Sequence, residues 1–428
     1  MGHIAIKEEY GRLQRRLEGA AVAAVESAVL YDILSMLFSP EEASIAARMP
    51  YGFASTGRLA RMLKIPADDL APRLTAMAAK GLVFDIERKG RSYWFLNPLV
   101  IGFFEFTMMR VRPALDQKTV AHKMWEYMFE DPNLAFIREL TRGETQLFRP
   151  LAHEHVLNEN VVEVLDYDRA SHMVESANAW TVGLCHCRHV AHHRGRDCKV
   201  EQMESCISIG TAAQYFARHG MGRAISKSEC LDIVVEARGR GLVQLGDNVK
   251  QRGLFICNCC NCCCEVLESL RRLRPSVALL TSNYVARMNA DTCTHCGACA
   301  KACPVEAFLV LRNGKARQVS LNDSACIGCG VCVSKCKSSS LGLVNRPARV
   351  HTPETTVEKL VLMAIERGKL QNLLLDDPAA VSHKVLRSFI SAIVRLPPAK
   401  QALARKQVRS AFVRRFLNLA THRPGTDI

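Results

Sequence analysis

The sequence predicts an α+β multidomain protein that is mostly helical, with four regions that span residues 1–110, 111–290, 291–350 and 351–428. Three observations lead to this fold class. A helix–helix–hairpin pattern lies in the first region, two matched rows of cysteines fill the third, and apolar residues at helical spacing dominate much of the rest. No apolar run reaches the ~18 residues that a membrane-spanning helix requires, so no transmembrane segment is predicted.

The first region contains two short helices followed by a hairpin. Ser55 or Thr56 caps the first helix, and the Ile65-Pro66 turn ends it because a residue before proline avoids the helical conformation. The second helix spans Asp68 to Lys80, and two strands with a charged turn occupy residues 82–96. This order of elements resembles the winged helix-turn-helix of MarR-like regulators.

That resemblance implies a candidate DNA-binding surface. A recognition helix directs basic and amide side chains into the major groove. Here the second helix begins with Asp68 and Asp69 and offers only Arg73 and Lys80 as bases. Because a region near neutrality gains little from counterion release, nucleic-acid binding is open but not favoured. We expect the winged helix to serve protein contact or dimerisation, and the oligomeric state is not predicted.

The second region is predicted to be a helical cysteine-rich domain. Between residues 185 and 264 it contains a C-H-C-R group, two further cysteines and a C-N-C-C-N-C-C-C run: Cys185, Cys187, Cys198, Cys206, Cys257, Cys259, Cys260, Cys262, Cys263 and Cys264. Six thiols in eight residues are unfavourable to bury as lone thiolates, and several iron atoms satisfy several thiolates at once. We therefore predict a third iron–sulfur cluster here.

The ligands of this central cluster are less narrowly predicted. We favour Cys187, Cys198 and Cys206 with one partner from residues 257–264, and every cysteine of this field except Cys185 is a candidate metal ligand. Zinc, and a fourth or higher-nuclearity cluster, are alternatives that the spacing leaves open. Two groups of histidines are expected not to bind metal. His186, His189, His192 and His193 are expected to line a positively charged surface around a negative cluster, and His153 and His155 to be a surface feature.

The third region carries two rows of cysteines with one spacing, C-x2-C-x2-C-x3-C: Cys293, Cys296, Cys299 and Cys303, then Cys326, Cys329, Cys332 and Cys336. In this spacing three thiolates of one loop bind one cubane, and the fourth ligates the other cluster. Zinc sites use cysteine pairs separated by a dozen or more residues, so zinc is the weaker interpretation.

The two rows resemble those of bacterial two-cluster [4Fe–4S] ferredoxins. The resemblance implies two clusters, one on Cys293, Cys296, Cys299 and Cys336 and the other on Cys326, Cys329, Cys332 and Cys303. The preceding block, Gly183 through Cys264, resembles a region of multi-cluster iron–sulfur proteins of anaerobic bacteria, where a CxCR motif and a CNCCxCCC motif precede such a ferredoxin. This second resemblance implies a cofactor class and no particular activity.

The fourth region is a basic helical tail. The formal charge of the chain is +15, and residues 351–428 hold 13 lysines and arginines against 6 acidic residues. Helices are predicted at about 354–375 and 399–420, the latter basic and amphipathic. Such a helix docks an acidic redox partner, lies on an anionic membrane surface or packs on its own protein. Many thiols and a charged N-terminus without a signal-peptide core predict a reducing cytoplasm.

Three functions fit these features. The first is an electron carrier or electron-transfer subunit, in which the clusters do the redox chemistry and no side chain is a predicted catalytic acid or base. The second is a redox enzyme whose C-N-C-C-N-C-C-C site binds or reduces a substrate. The third is a redox-responsive regulator that joins the winged helix to the clusters. Electron transfer is the favoured interpretation, and whether the chain is an enzyme is left open.

Overall fold

The computed structural model describes residues 8–273, 280–313 and 316–374. Helix accounts for 43% of these residues and strand for 17%, which confirms a mixed α+β fold with more helix than strand. No helix among the described residues is long and apolar enough to cross a bilayer. The predicted helix at 399–420 lies outside the described residues, and the four predicted region boundaries stay predictions.

The helices number seventeen among the described residues: α1 Glu8–Glu18, α2 Ala28–Leu37, α3 Pro40–Ala46, α4 Thr56–Leu63, α5 Ala67–Ala79, α6 Phe104–Met108, α7 Gln117–Phe129, α8 Ala135–Leu140, α9 Ala170–Glu175, α10 His186–His193, α11 Gly210–Arg218, α12 Lys227–Gly239, α13 Glu265–Leu273, α14 Ala298–Ala302, α15 Val331–Ser334, α16 Thr356–Glu366 and α17 Leu370–Leu374. The strands of the same residues form four sheets: β1 Ala54–Ser55, β2 Val83–Arg88, β3 Arg91–Leu96, β4 Phe148–Leu151, β5 Trp180–Leu184, β6 Glu204–Ile209, β7 Arg223–Ala224, β8 Val243–Asp247, β9 Phe255–Cys259, β10 Tyr284–Met288, β11 Phe308–Asn313, β12 Ala316–Leu321 and β13 Leu341–Asn345.

The described chain divides into two compact units. The first comprises residues 8–107, 126–145 and 353–374. Within it, Ser55 accepts a hydrogen bond from the Arg58 amide and so caps α4, as predicted. Helix α5 and the hairpin β2–β3, in which Val83 faces Leu96, complete the helix–helix–hairpin order. The elements are confirmed, whereas the winged-helix resemblance stays a prediction.

The second unit comprises residues 108–125 and 146–352 and contains every cysteine of the chain. Its main element is a six-stranded antiparallel sheet in the order β4-β8-β9-β6-β5-β7. The helices predicted for the cysteine-rich region thus lie beside a sheet of which the sequence analysis did not predict the extent. The reason is local: β9 reads Phe-Ile-Cys-Asn-Cys, and its cysteines drew attention to metal binding rather than to its strand character.

The two cysteine rows lie in a smaller part of the second unit. Strands β10 and β13 pair antiparallel, helices α14 and α15 each follow a positive-φ glycine within a cysteine row, and the hairpin β11–β12 connects the two rows. One hydrophobic core contains side chains from both this part and the six-stranded sheet, including Val243, Leu245, Cys303 and Cys332. The same core contains Cys259 and Cys264 of the central field, whereas Cys260 and Cys263 lie in a separate, smaller core.

Candidate metal centres

The first candidate centre is a buried cavity in the region of the cysteine rows. Its lining is apolar except for four thiols, Cys303, Cys326, Cys329 and Cys332. All four side chains are buried. Two of them accept hydrogen bonds from backbone amides: Ala307 N lies 3.2 Å from Cys303 Sγ, and Ala286 N lies 3.5 Å from Cys326 Sγ. The structure thus brings the fourth cysteine of the first row together with the first three of the second.

The cavity fits a cubane cluster by its chemistry. Burial raises the pKa of Cys329 and of Cys332 well above the ordinary value of a thiol, so no free thiolate is stable there. Four converging cysteines with amide donors to the sulfurs are the donor set of a [4Fe–4S] cluster. A metal cluster would supply the positive charge that these thiolates need.

Three of the four remaining cysteines of the two rows lie closer to the surface: Cys293, Cys296 and Cys336. Cys299 is buried and interacts electrostatically with Cys293 and Cys296, whose side chains are half-buried and exposed. His295 N donates to Cys293 Sγ at 3.4 Å, and Cys336 Sγ lies 3.6 Å from Ser338 Oγ. The grouping of Cys336 with the first three cysteines still rests on the ferredoxin resemblance.

The central cysteine field separates into two sets. The first, called here the four-thiol group, consists of cysteines whose sulfur atoms all lie within 4.8 Å of one another: Cys198, Cys260, Cys262 and Cys263. Cys198 Sγ is 3.5 Å from Cys260 Sγ and 3.6 Å from Cys262 Sγ. Side chains from two segments about 60 residues apart therefore close one site of four thiols.

The second set, called here the six-thiol row, consists of the other six cysteines of the field, whose thiols interact electrostatically in the order Cys185, Cys187, Cys264, Cys259, Cys257 and Cys206. Secondary structure fixes this order. Cys257 and Cys259 share one face of β9 because side chains alternate along a strand, and Cys206 on β6 lies directly opposite Cys257.

Two helix N-termini meet at the six-thiol row. Cys185 is the N-cap of α10, with Cys187 in its first turn, and Cys264 immediately precedes α13. A helix N-terminus favours negative charge, which stabilises thiolates. Hydrogen bonds from Cys187 and Cys259 lower the pKa of Cys264 to about 5, although its burial opposes this shift.

The buried guanidinium of Arg188 connects the two sets electrostatically. It donates to Ser205 Oγ at 2.8 Å and to the carbonyl oxygen of Asn258 at 3.0 Å. Burial alone would lower the pKa of Arg188, but the charges of Cys185 and Cys260 raise it above its ordinary value. A hydrogen bond from Cys263 and then the Arg188 charge lower the pKa of Cys260 to about 4 against the effect of burial.

The structure divides the favoured sequence-based ligand set. Cys198 lies in the four-thiol group, whereas Cys187 and Cys206 lie in the six-thiol row. Cys185, which the sequence analysis left out of the candidate ligands, interacts electrostatically with Cys187 in the six-thiol row.

The expectation that His153 is a surface feature is wrong, because its side chain is buried, and His186 and His189 are buried in the helix that begins directly after Cys185. His189 Nδ1 bonds the Met108 carbonyl at 2.7 Å, and His186 Nε2 lies 3.1 Å from Glu265 Oε2. These contacts give His186 and His189 structural roles next to the thiols. His192 is exposed, as expected, and pairs with Asp197 at 2.7 Å.

Arg271 joins the two cysteine fields. Its Nη1 donates to Asn261 Oδ1 at 2.9 Å, inside the C-N-C-C-N-C-C-C run, and to the carbonyl oxygen of Pro304 at 2.8 Å, next to Cys303. The other terminal nitrogen of the same guanidinium, Arg271 Nη2, donates to Glu268 Oε2 at 2.8 Å. One side chain thus fixes the loop of the buried dicluster cavity against the central field.

Comparison with known proteins supports this geometry in part. Residues 286–337 match the family model described as a 4Fe-4S dicluster domain. Searches of curated proteins and of solved structures found no significant match to the chain. The dicluster domain implies two [4Fe–4S] clusters and iron–sulfur electron transfer, and the four-thiol group is a set of residues that can hold another metal centre.

Gly328 is predicted to be essential for the buried dicluster cavity. Its φ is +69°, and a Cβ there would collide with the carbonyl oxygen of Tyr284 and the hydroxyl of Ser282. Gly90 is a matched control, because its φ is +70° and no atom lies within 4 Å of its Cβ position. Both alanine variants place a Cβ atom on a residue with left-handed backbone, which costs stability in each. Gly328→Ala should lower the free energy of unfolding by about 1–3 kcal/mol more than Gly90→Ala, because its Cβ also overpacks the site. Metal analysis should find less iron in Gly328→Ala and the full iron content in Gly90→Ala. Equal iron contents would contradict the claim that the backbone of residue 328 must pass close to Tyr284 and Ser282.

His153 is predicted to make the stability of the second unit depend on pH. Its Nε2 donates to the Leu242 carbonyl at 2.8 Å, its backbone N–H donates to the Cys329 carbonyl at 3.1 Å, and burial lowers its pKa from 6.5 to about 4. Because the unfolded state takes up the proton first, the free energy of unfolding should fall as pH decreases from 6.5 towards 4. His153→Gln should remove this decrease in the free energy of unfolding, about 3 kcal/mol between pH 6.5 and 4. Denaturant unfolding at several pH values checks this, and an unchanged slope would contradict it.

Proposed function

We propose that this chain carries single electrons through the two [4Fe–4S] clusters of residues 286–337 to a third cluster held by the four-thiol group. The observation that carries the proposal is the packing of the two fields: Cys303, Cys326, Cys329 and Cys332 share one core with Cys259 and Cys264, and Cys260 and Cys263, the next residue and the preceding residue in the chain, lie in a core of their own with the rest of the four-thiol group. Iron–sulfur clusters supply one-electron chemistry when bound. The protein residues bind the clusters, exclude water and donate N–H···S hydrogen bonds.

The exposed side of the dicluster region is the proposed entry point for electrons. Cys296 is exposed, and the guanidinium of Arg317 donates to its carbonyl oxygen at 2.6 Å. Lys301 and Arg312 are also exposed in this region. A positive surface beside the more exposed cluster site favours an acidic redox partner, because complementary charge accelerates encounter.

A matched pair of variants tests the third cluster. Cys198→Ala removes one thiol of the four-thiol group, and Cys230→Ala removes a buried cysteine that packs with apolar residues outside both fields. We expect Cys198→Ala to lose about four irons per chain and one reducible EPR signal, with the dicluster signals retained. Cys230→Ala should keep every signal. Full iron and unchanged EPR spectra in Cys198→Ala would contradict the third cluster.

A small cavity supports a redox enzyme as a second candidate. It is lined by Cys187 of the six-thiol row, Cys262 and Cys263 of the four-thiol group, and Arg194, whose guanidinium carbon lies 3.6 Å from the ring centroid of Trp125. A substrate there would contact thiols of both sets. An anaerobic turnover assay with a low-potential electron donor, and with small disulfides and acyl-CoA thioesters as substrates, distinguishes the redox enzyme from the electron carrier. If no substrate is turned over while the clusters are intact, electron transfer is the remaining function.

The first unit is proposed to make protein contacts rather than bind nucleic acid. The two bases of the second helix of its helix–helix–hairpin are engaged within the protein: Arg73 pairs with Glu41, and Lys80 Nζ lies 2.7 Å from Glu42 Oε1. A paired base offers less charge to phosphate. A gel-shift experiment at low salt with reduced and oxidised protein tests this, and a shift in either state would favour a redox-responsive regulator.

A further inference from the structure

We propose that Arg271 is a positioning residue that connects the buried dicluster cavity to the four-thiol group and sets the rate at which an electron passes between them. The inference rests on the proposed function, because both sites must hold clusters for an electron to pass. It goes beyond that function by naming the side chain that connects the two sites. The electron oxidises the site that it leaves and reduces the site that it enters, and no proton or covalent bond is exchanged.

The first argument is the position of two hydrogen bonds that one nitrogen atom makes. Arg271 Nη1 donates to the carbonyl oxygen of Pro304 at 2.8 Å and to Asn261 Oδ1 at 2.9 Å. Pro304 directly follows Cys303, which lines the buried dicluster cavity. Asn261 lies in the chain between two cysteines of the four-thiol group. A single nitrogen atom thus links residues that are covalently bonded to candidate ligands of both sites.

The second argument is that the guanidinium is held in place. Its Nε and Nη2 donate to Glu268 Oε2 at 3.2 and 2.8 Å, and the Arg271 side chain is 15% exposed. Helix α13 carries both residues, begins directly after the C-N-C-C-N-C-C-C run, and packs Leu267 and Leu270 into the core that contains Cys303. Because a planar guanidinium is already ordered by these contacts, it loses little further freedom when it bridges two loops.

The third argument is that the two sites lie in different cores. Cys303 shares one core with the other cysteines of the buried dicluster cavity, whereas Cys260 and Cys263 lie in a smaller core. The hydrogen bonds of Arg271 reach from a residue next to the first core to a residue next to the second. Electronic coupling decays more slowly through covalent and hydrogen bonds than through an unbridged gap. The contacts of Arg271 therefore favour electron transfer between the sites.

The charge of Arg271 explains its placement less well than the bridge does. Glu268 Oε1 accepts a hydrogen bond from Arg272 Nε at 2.7 Å, so the two arginines share one counter-charge. Arg272 is more exposed, at 36%, and its guanidinium carbon lies 5.5 Å from the ring centroid of Trp125. Arg272→Ala thus removes the same charge from the same carboxylate and leaves the Nη1 bridge of Arg271 in place. It is the matched control.

The test compares Arg271→Ala with Arg272→Ala in the full chain, prepared without air. Metal analysis and EPR first establish that each variant keeps its clusters. The first readout is the rate of the stopped-flow phase in which the central field is reduced. The second is the magnetic interaction between the reduced clusters, which EPR measures and which depends on how the sites are held. We expect Arg271→Ala to slow that phase severalfold and to weaken the interaction, and Arg272→Ala to change neither.

A second substitution shows whether the two hydrogen bonds act as one connection. Asn261→Ala removes the acceptor on the side of the four-thiol group and should also slow the reduction of the central field. The double variant should be no slower than Arg271→Ala alone, because both changes break the same connection. Independent effects that multiply in the double variant would overturn the bridge.

Each outcome assigns a cause. About 12 irons in the wild type, with the wild-type rate and magnetic interaction in Arg271→Ala, overturns the bridge and leaves the proposed function intact. About 8 irons in the wild type overturns the third cluster, and the bridge with it. If Arg271→Ala does not keep its iron, Asn261→Ala decides, because Asn261 is exposed and its replacement leaves the packing of α13 unchanged. A wild-type rate in that variant overturns the bridge.

Discussion

Replacing Cys332 with alanine is expected to remove about four irons per chain and to stop electron transfer from an external donor to the central field. Cys332 is buried and lines the same apolar cavity as Cys303, Cys326 and Cys329. This site lies in the core that also contains Cys259 and Cys264, the sequence neighbours of Cys260 and Cys263 in the four-thiol group, so its loss should interrupt the proposed route. The electron transfer is measured by anaerobic stopped-flow reduction, and the iron content by metal analysis.

Two comparisons make this expectation specific. Cys230→Ala also shortens a buried cysteine, but it packs in a different core, so iron and electron transfer should stay unchanged. Cys296→Ala affects the exposed part of the dicluster region and should slow the first electron entry while the buried cluster remains. A Cys332→Ala protein that still reduces its central field at the wild-type rate would contradict the route.

Replacing Asp168 with alanine is expected to lower the free energy of unfolding of the second unit by about 3–5 kcal/mol. Asp168 Oδ1 lies 2.7 Å from Arg149 Nη1, and both side chains are almost fully buried. The same carboxylate accepts from Asn283 Nδ2 at 3.0 Å and from the Tyr284 hydroxyl at 3.3 Å. Asp168→Ala leaves a buried guanidinium without its counter-charge, which is the costly way to break such a pair.

The matched control is a neighbouring ion pair on the surface. Glu159 pairs with Arg169, and its side chain is 67% exposed, so Glu159→Ala should change stability by at most about 1 kcal/mol. The loss of stability in Asp168→Asn should be intermediate between those of Asp168→Ala and Glu159→Ala, because the amide keeps the shape of the side chain and one hydrogen-bond acceptor. Urea unfolding followed by circular dichroism measures all three variants. Equal stabilities for Asp168→Ala and Glu159→Ala would show that this buried network does not hold the sheet to β10.

The dicluster region could be predicted from sequence because its information is local. Three cysteines of each row lie within seven residues, and the spacing alone identifies the cofactor. The helix–helix–hairpin of the first unit was predictable for the same reason. Its caps, proline turn and alternating strands are short-range signals that survive without knowledge of tertiary contacts.

The partition of the ten central cysteines could not be predicted, because strand register decides it. Cys206 lies opposite Cys257 only because β6 and β9 pair, and the sequence does not reveal which strands are neighbours. The buried Arg188 and Glu265 were missed for a related reason. Charged side chains are normally expected at the surface, and only the assembled site shows the thiols that they face.

The central claim is that the thiols of the second unit hold iron–sulfur clusters that exchange single electrons. Its most direct test is an anaerobic reductive titration of the full chain with titanium(III) citrate, followed by EPR and combined with metal analysis. The account predicts a brown protein that accepts at least about three electron equivalents per chain, each appearing with a cluster signal. A protein that accepts two or fewer, or that is colourless and carries zinc, would contradict the account.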